Sequence, residues 1–206
     1  FVLKNFAKSL DIVMWFYLPK KLDAKYAICG FSRCGNVYLH RKFRLNREDD
    51  FLNQHYHSAG FGNMVSKKGI RVLFAVRNPV ACVLSNKVAK QELSITSIYI
   101  SYMFYLLKVL TIKNVRVIDF DDFTGNTERF KTVLQDFFET TEPISLPSDK
   151  YIKDWIRKDP AQNNNDLHLS IPTKRKEEEK LKYKNFVESN LLRKLAQKLY
   201  LQVLKS

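Results

Sequence analysis

Two short stretches of the sequence carry the residue types that handle phosphate. The first is Gly30-Phe31-Ser32-Arg33-Cys34-Gly35-Asn36. It lies between an apolar run at 25–30 and a segment from Val37 that can open a helix, where free main-chain N–H groups and the positive helix end favour an anion. Gly35 lets the backbone approach a phosphate with no side chain between them, and Arg33 adds a permanent charge. Gly30 and Gly35 keep the spacing of a Walker A loop, but Asn36 and Val37 stand where that motif has its Lys and its magnesium-binding Ser or Thr. The loop reads as a phosphate cradle that lacks the parts of an NTPase site.

The second stretch is the apolar run Ile70 to Val76, which ends in Arg77-Asn78-Pro79 and is followed by Ser85, eight residues after the arginine. A guanidinium at a strand end and a hydroxyl on the second turn of the next helix can converge on one phosphate.

Together these stretches resemble the nucleotide-dependent sulfotransferases, which move a sulfuryl group from 3′-phosphoadenosine 5′-phosphosulfate (PAPS) to a hydroxyl or amine. The motifs are most similar to those of bacterial and carbohydrate-type members. The family loop runs like G-x-P-R-S-G-T-T, and the residues matched to it as cofactor-binding are Ser32, Arg33, Cys34, Gly35, Asn36 and Val37. The family's R-[ND]-P strand end and its following Ser hold the 3′-phosphate, which implies that role for Arg77 and Ser85. A basic segment near the family's C-terminus closes over the same phosphate, and Lys174-Arg175-Lys176 occupies that place, giving Lys174 and Arg175 as further cofactor contacts. Ser32 replaces proline, Cys34 replaces serine, and Asn36 and Val37 replace two threonines, so backbone contacts carry more of the 5′-phosphate here. The segment 118–123 matches an acidic strand end of the family and takes a structural role.

The implied chemistry is in-line attack of an acceptor oxygen on sulfur, with Arg33 and loop N–H groups stabilising the departing nucleotide, adenosine 3′,5′-bisphosphate, and no metal required. A base that takes the acceptor's proton is needed, and histidine suits that task near neutral pH. In cytosolic members it lies about twenty residues before the R-N-P strand end. His57 lies 20 residues before Arg77 and is taken as the base; His55, 22 residues before it, and the acids Glu48, Asp49 and Asp50 stand as alternatives. His40 and His168 match nothing and read as structural.

Position in the chain depends on the elements. Apolar runs at 25–30, 70–76 and 115–120 suit buried strands, and helical patterns cover 5–17, closed by Pro19, then 80–90, 94–110, 127–138 and a long basic helix over 174–204. The chain between 140 and 147 is irregular, and Asn163-Asn164-Asn165 marks a loop. Alternating strands and helices predict an α/β fold with a parallel β-sheet flanked by helices, in a single domain over 1–206. The resemblance implies the P-loop NTPase-like sulfotransferase fold.

Thirty-five Lys and Arg against 21 Asp and Glu give a net charge of +14, so an anionic partner is expected. The acceptor expected from the resemblance is a carbohydrate or glycolipid hydroxyl, and a basic surface suits an acidic glycan or a membrane-bound acceptor. The competing reading is a basic polyanion- or nucleic-acid-binding protein with a degenerate, inactive nucleotide loop. Against it, the sequence has no RNA-binding signature, helix-turn-helix spacing or zinc finger. Three cysteines outside any C-x-x-C pair predict reduced thiols and no zinc site, hence a cytoplasmic location, with membrane association where the acceptor is a lipid. The apolar run at 93–107 is too short to span a bilayer, and Phe1 in place of Met suggests that an upstream segment has been removed.

Overall fold

A computed structural model describes residues 24–47, 50–52, 56–125, 127–142, 144–158 and 172–206. The expected helix at 5–17, the loop at 163–165, and His55, Glu48, Asp49 and His168 lie outside the described residues. The fold is α/β, with a small three-stranded parallel sheet flanked by helices.

Strand β1 (Tyr26–Gly30) is buried along its whole length and pairs in parallel with β2 (Arg71–Val76), which pairs in parallel with β3 (Arg116–Asp119). Near-continuous apolar runs such as Ala27-Ile28-Cys29 and Val72-Leu73-Phe74-Ala75-Val76 are what a parallel sheet covered on both faces requires. On the other edge of β1, single parallel bridges join Tyr26 to Phe51 and Cys29 to Tyr56.

The register decides what meets at the C-terminal end of the sheet. Gly30 is level with Ala75, Val76 is level with Asp119, and Cys29 is level with Tyr56. The residues that leave these strands are therefore neighbours: the loop after Gly30, His57, Arg77 and Phe120. In open α/β sheets, ligands bind in the crevice beyond these carboxyl ends.

Helices α1 (Asn36–Arg47), α2 (Ala59–Ser66), α3 (Pro79–Ala89) and α4 (Ile95–Leu110) follow in order. Helices α5 (Phe120–Gly125), α6 (Glu128–Phe138) and α7 (Asp149–Lys158) precede α8 (Lys174–Glu188) and α9 (Arg193–Val203). Local chemistry sets the boundaries. Ser58, Ser94, Thr127 and Thr173 each cap a helix by accepting an N–H bond at its third residue. Asn78 accepts from the N–H groups of Val80 and Ala81, with Pro79 in the first helical position. The single basic helix expected over 174–204 is two helices, because Ser189 ends α8 and Asn190 turns the chain through its side-chain bond to the Leu192 N–H.

The core is rich in aromatic rings. Tyr26 packs within 5.3 Å of Phe51, Phe137 and Phe138, fixing α6 against the outer edge of β1, and such pairs contribute about 0.5–1.5 kcal/mol each beyond area burial. A smaller cluster of Val83, Ile98, Tyr99, Val187 and Ala196 joins α3 and α4 to the C-terminal helices. Tyr99 donates a hydrogen bond to the Val187 carbonyl at 3.0 Å, which ties α8 to this core.

Candidate functional site

A cleft of about 130 Å³ opens at the C-terminal end of the sheet, lined by Ser32, Arg33, Gly35, Asn36, Val37, His57, Arg77, Ser85, Phe120, Pro172, Lys176 and Lys180. It has room for an anionic group. Four lysine and arginine side chains face it, and no carboxylate is among its lining residues.

The loop between β1 and α1 is bent by two left-handed residues that flank Cys34. Arg33 has φ 68° and Gly35 has φ 82°. A left-handed arginine costs about 1–2 kcal/mol, and strain of this kind gathers at ligand sites. At Gly35 a side chain would also collide, since a Cβ would lie 2.7 Å from the Phe123 ring and 2.8 Å from Phe120. Gly30 is needed for a different reason: its Cβ would fall 2.0 Å from Asn36 Oδ1.

Several bonds fix the loop to α3 and β2. Asn86 Nδ2 donates to the Ser32 carbonyl at 2.8 Å, and Arg77 Nη1 donates to the Arg33 carbonyl at 3.1 Å. Arg33 Nε donates to Ser85 Oγ at 3.4 Å, so a residue of the loop and one of α3 touch directly. The main chain of Arg77 is clamped by Tyr102, whose hydroxyl accepts from its N–H at 3.0 Å and donates to its carbonyl at 2.6 Å. The Arg77 guanidinium lies 3.9 Å over the Phe120 ring, the position the register of β2 and β3 gives it. Burial, and then the Arg77 charge beside it, hold Arg33 below the ordinary arginine range. Two guanidiniums that repel each other in a half-buried cleft are stabilised by an anion between them.

Asn36 organises the other wall. Its Nδ2 donates to the Gly30 carbonyl at 2.7 Å and lies 2.9 Å from His57 Nδ1, while that nitrogen is 3.2 Å from the same carbonyl. Two tautomers follow. With Nδ1 bare, His57 accepts from Asn36; with Nδ1–H directed at Gly30, Nε2 is bare and can take a proton.

The structure brings Ser32, Arg33, Gly35, Asn36, Val37, His57, Arg77 and Ser85 to one cleft. Cys34 is apart from them: its N–H bonds to the Phe31 carbonyl, and its Sγ turns into the core, 3.8 Å from Cys82 Sγ. Lys174 and Arg175 are exposed and do not line the cleft, because on α8 the inward positions fall at Lys176 and Lys180, four residues apart. Asp50 pairs with Lys25 at 2.8 Å, and His40 bonds the Leu52 carbonyl at 3.0 Å within the core. Asp119, at the acidic strand end, is buried, and that burial pushes its carboxyl above the usual carboxylate range.

No protein-family model, curated protein or solved structure matches the chain.

Phe120, Lys176 and Lys180 were not among the sequence candidates. The Lys176 signal was present, one residue beyond the pair singled out, and helical phase selects it over Lys174 and Arg175. Among the described residues no group of His, Cys, Asp and Glu could hold a metal ion, and no helix is long and apolar enough to cross a membrane.

Proposed function

We propose that the cleft holds the phosphosulfate end and the 3′-phosphate of PAPS, and that the protein transfers the sulfuryl group to a hydroxyl of a carbohydrate or glycolipid acceptor. On this reading the fold is a P-loop-like sulfotransferase fold. The observation that carries it is the 3.4 Å contact between Arg33 Nε and Ser85 Oγ, which joins the loop of the first motif to the helix of the second beside Arg77.

The loop N–H groups and Arg33 bind the 5′-phosphate, and Arg77 with Ser85 binds the 3′-phosphate. The acceptor O–H attacks sulfur, a new S–O bond forms, and the bond from sulfur to the 5′-phosphate oxygen breaks. Arg33 neutralises charge on that departing oxygen. His57 in its Nδ1–H form takes the acceptor proton at Nε2, held there by the Gly30 carbonyl. The products are a sulfate ester and adenosine 3′,5′-bisphosphate.

Thermal shift tests the nucleotide assignment. Adenosine 3′,5′-bisphosphate is expected to raise Tm, and AMP, without the 3′-phosphate, to raise it far less. Equal shifts would sink the roles given to Arg77 and Ser85 and favour a general polyanion site.

A further inference from the structure

The last helix has a face that neither the core nor the cleft uses. α9 packs against α4 and buries Ala196, Leu199, Tyr200 and Val203. At about 100° per residue these lie on one arc, and Lys194, Leu195, Lys198, Leu201 and Gln202 fill an opposite arc of roughly 120°. Leu195 and Leu201 are each 48% exposed, and Leu191, on the turn leading into α9, is 95% exposed.

Charge says what covers this surface. α9 reads RKLAQKLYLQV and α4 reads ITSIYISYMFYLLKVL, so neither helix carries a carboxylate. α8 is the contrast: its lysines pair with acids of the same helix, Lys180 with Glu177 at 2.7 Å and Lys182 with Glu179 at 2.5 Å. A solvated helix face mixes both signs in that way. A face that alternates leucine with lysine and carries no acid fits a surface that is apolar beneath and anionic above.

We propose that the outer face of α9 docks on an anionic lipid bilayer, the leucines entering the headgroup boundary and Lys194 and Lys198 meeting lipid phosphates. The inference does not rest on the sulfuryl-transfer reading. It concerns a different surface, and its test uses no nucleotide.

Co-sedimentation of the whole chain with vesicles of phosphatidylcholine, with and without phosphatidylserine, tests it. Binding is expected only to the serine-lipid vesicles, and Leu195→Ser with Leu201→Ser should weaken it at least about tenfold. Lys194→Gln with Lys198→Gln should weaken it by about fivefold per lysine. As a check that needs no loss of function, Leu195→Cys carrying an environment-sensitive dye should shift to the blue on the same vesicles. No binding, equal binding by the leucine variant, or an unshifted dye would overturn the proposal. So would a wild-type dimer that the leucine substitutions turn into a monomer, since a second copy would then be the occupant.

Discussion

Arg77 Nη1 donates to the main-chain carbonyl of Arg33 at 3.1 Å, so the cation at the end of β2 also braces the left-handed corner of the β1–α1 loop. Arg77→Lys keeps a charge but loses the guanidinium fork and weakens the stack on Phe120. A hydrogen bond between charged groups contributes about 1.5–3 kcal/mol. Affinity for adenosine 3′,5′-bisphosphate, measured by calorimetry, should therefore fall by about 10- to 100-fold; unchanged affinity would assign Arg77 to bracing alone.

The strain at Arg33 makes a prediction with two opposite signs. Arg33→Gly removes the left-handed penalty and should leave the protein as stable or up to about 1 kcal/mol more stable. The same change removes a cleft cation, so nucleotide affinity should drop. Gly35→Ala has the reverse character: with φ 82° and the Phe123 ring 2.7 Å from the added carbon, it should lower stability by about 1–3 kcal/mol. Thermal melts of the two variants check both; a destabilised Arg33→Gly would show that the arginine side chain holds the loop together.

How much of this was legible in the sequence follows from the range of each signal. Strands β1 and β2 were readable because a parallel sheet covered on both faces demands uninterrupted apolar runs, and those runs are local. Asn78 and Pro79 announced the start of α3 by the same local logic. The convergence of Arg33, Ser85 and Arg77 depends on strand register, which no local pattern encodes; it was reached through a resemblance between motifs. Phe120 could not be picked out, since its place over Arg77 follows from the pairing of Val76 with Asp119. Lys176 was missed in favour of Lys174 and Arg175 because charge runs along 174–176 without showing which residue turns inward. The break at Ser189 was hidden because its cues are side-chain bonds of Asn190, an ordinary residue in a polar stretch.

Away from the cleft, Lys42 is only 2% exposed and pairs with Asp149 at 3.1 Å, and Asp149 also accepts from the Tyr38 hydroxyl. Burial pushes the Asp149 carboxyl up, but the bonds from Tyr38 and Lys42 outweigh it and hold the group below the usual carboxylate range. A carboxyl whose pKa is depressed on folding contributes stability above its unfolded pKa of about 3.9, and that contribution is lost as pH falls through the folded value. Asp149→Asn should therefore cost about 1–3 kcal/mol at pH 7, a value discounted for the partial exposure of Asp149. The gap in Tm between wild type and variant should begin to close below about pH 4. A gap that stays constant from neutral to acid pH would show that shape, not charge, is what Asp149 supplies.

The last prediction separates the cations of α8. Lys176 is 4% exposed and lines the cleft, as does Lys180, whereas Lys174 is 91% exposed and lies outside it. A cation about 4 Å from an anion near a protein surface gains roughly 4 kcal/mol before the cost of desolvation is subtracted. A net loss of about tenfold in nucleotide affinity is then expected for Lys176→Gln. Lys180 is the more exposed of the two, at 22%, so Lys180→Gln should lose less. Lys174→Gln and Arg175→Gln, at screened positions, should change affinity by less than about twofold. Titrations at two salt concentrations check the order, because loss of a cleft contact persists in high salt while loss of a long-range surface charge is screened away. An equal fall for all four variants would mean that α8 attracts the anion only through its overall charge.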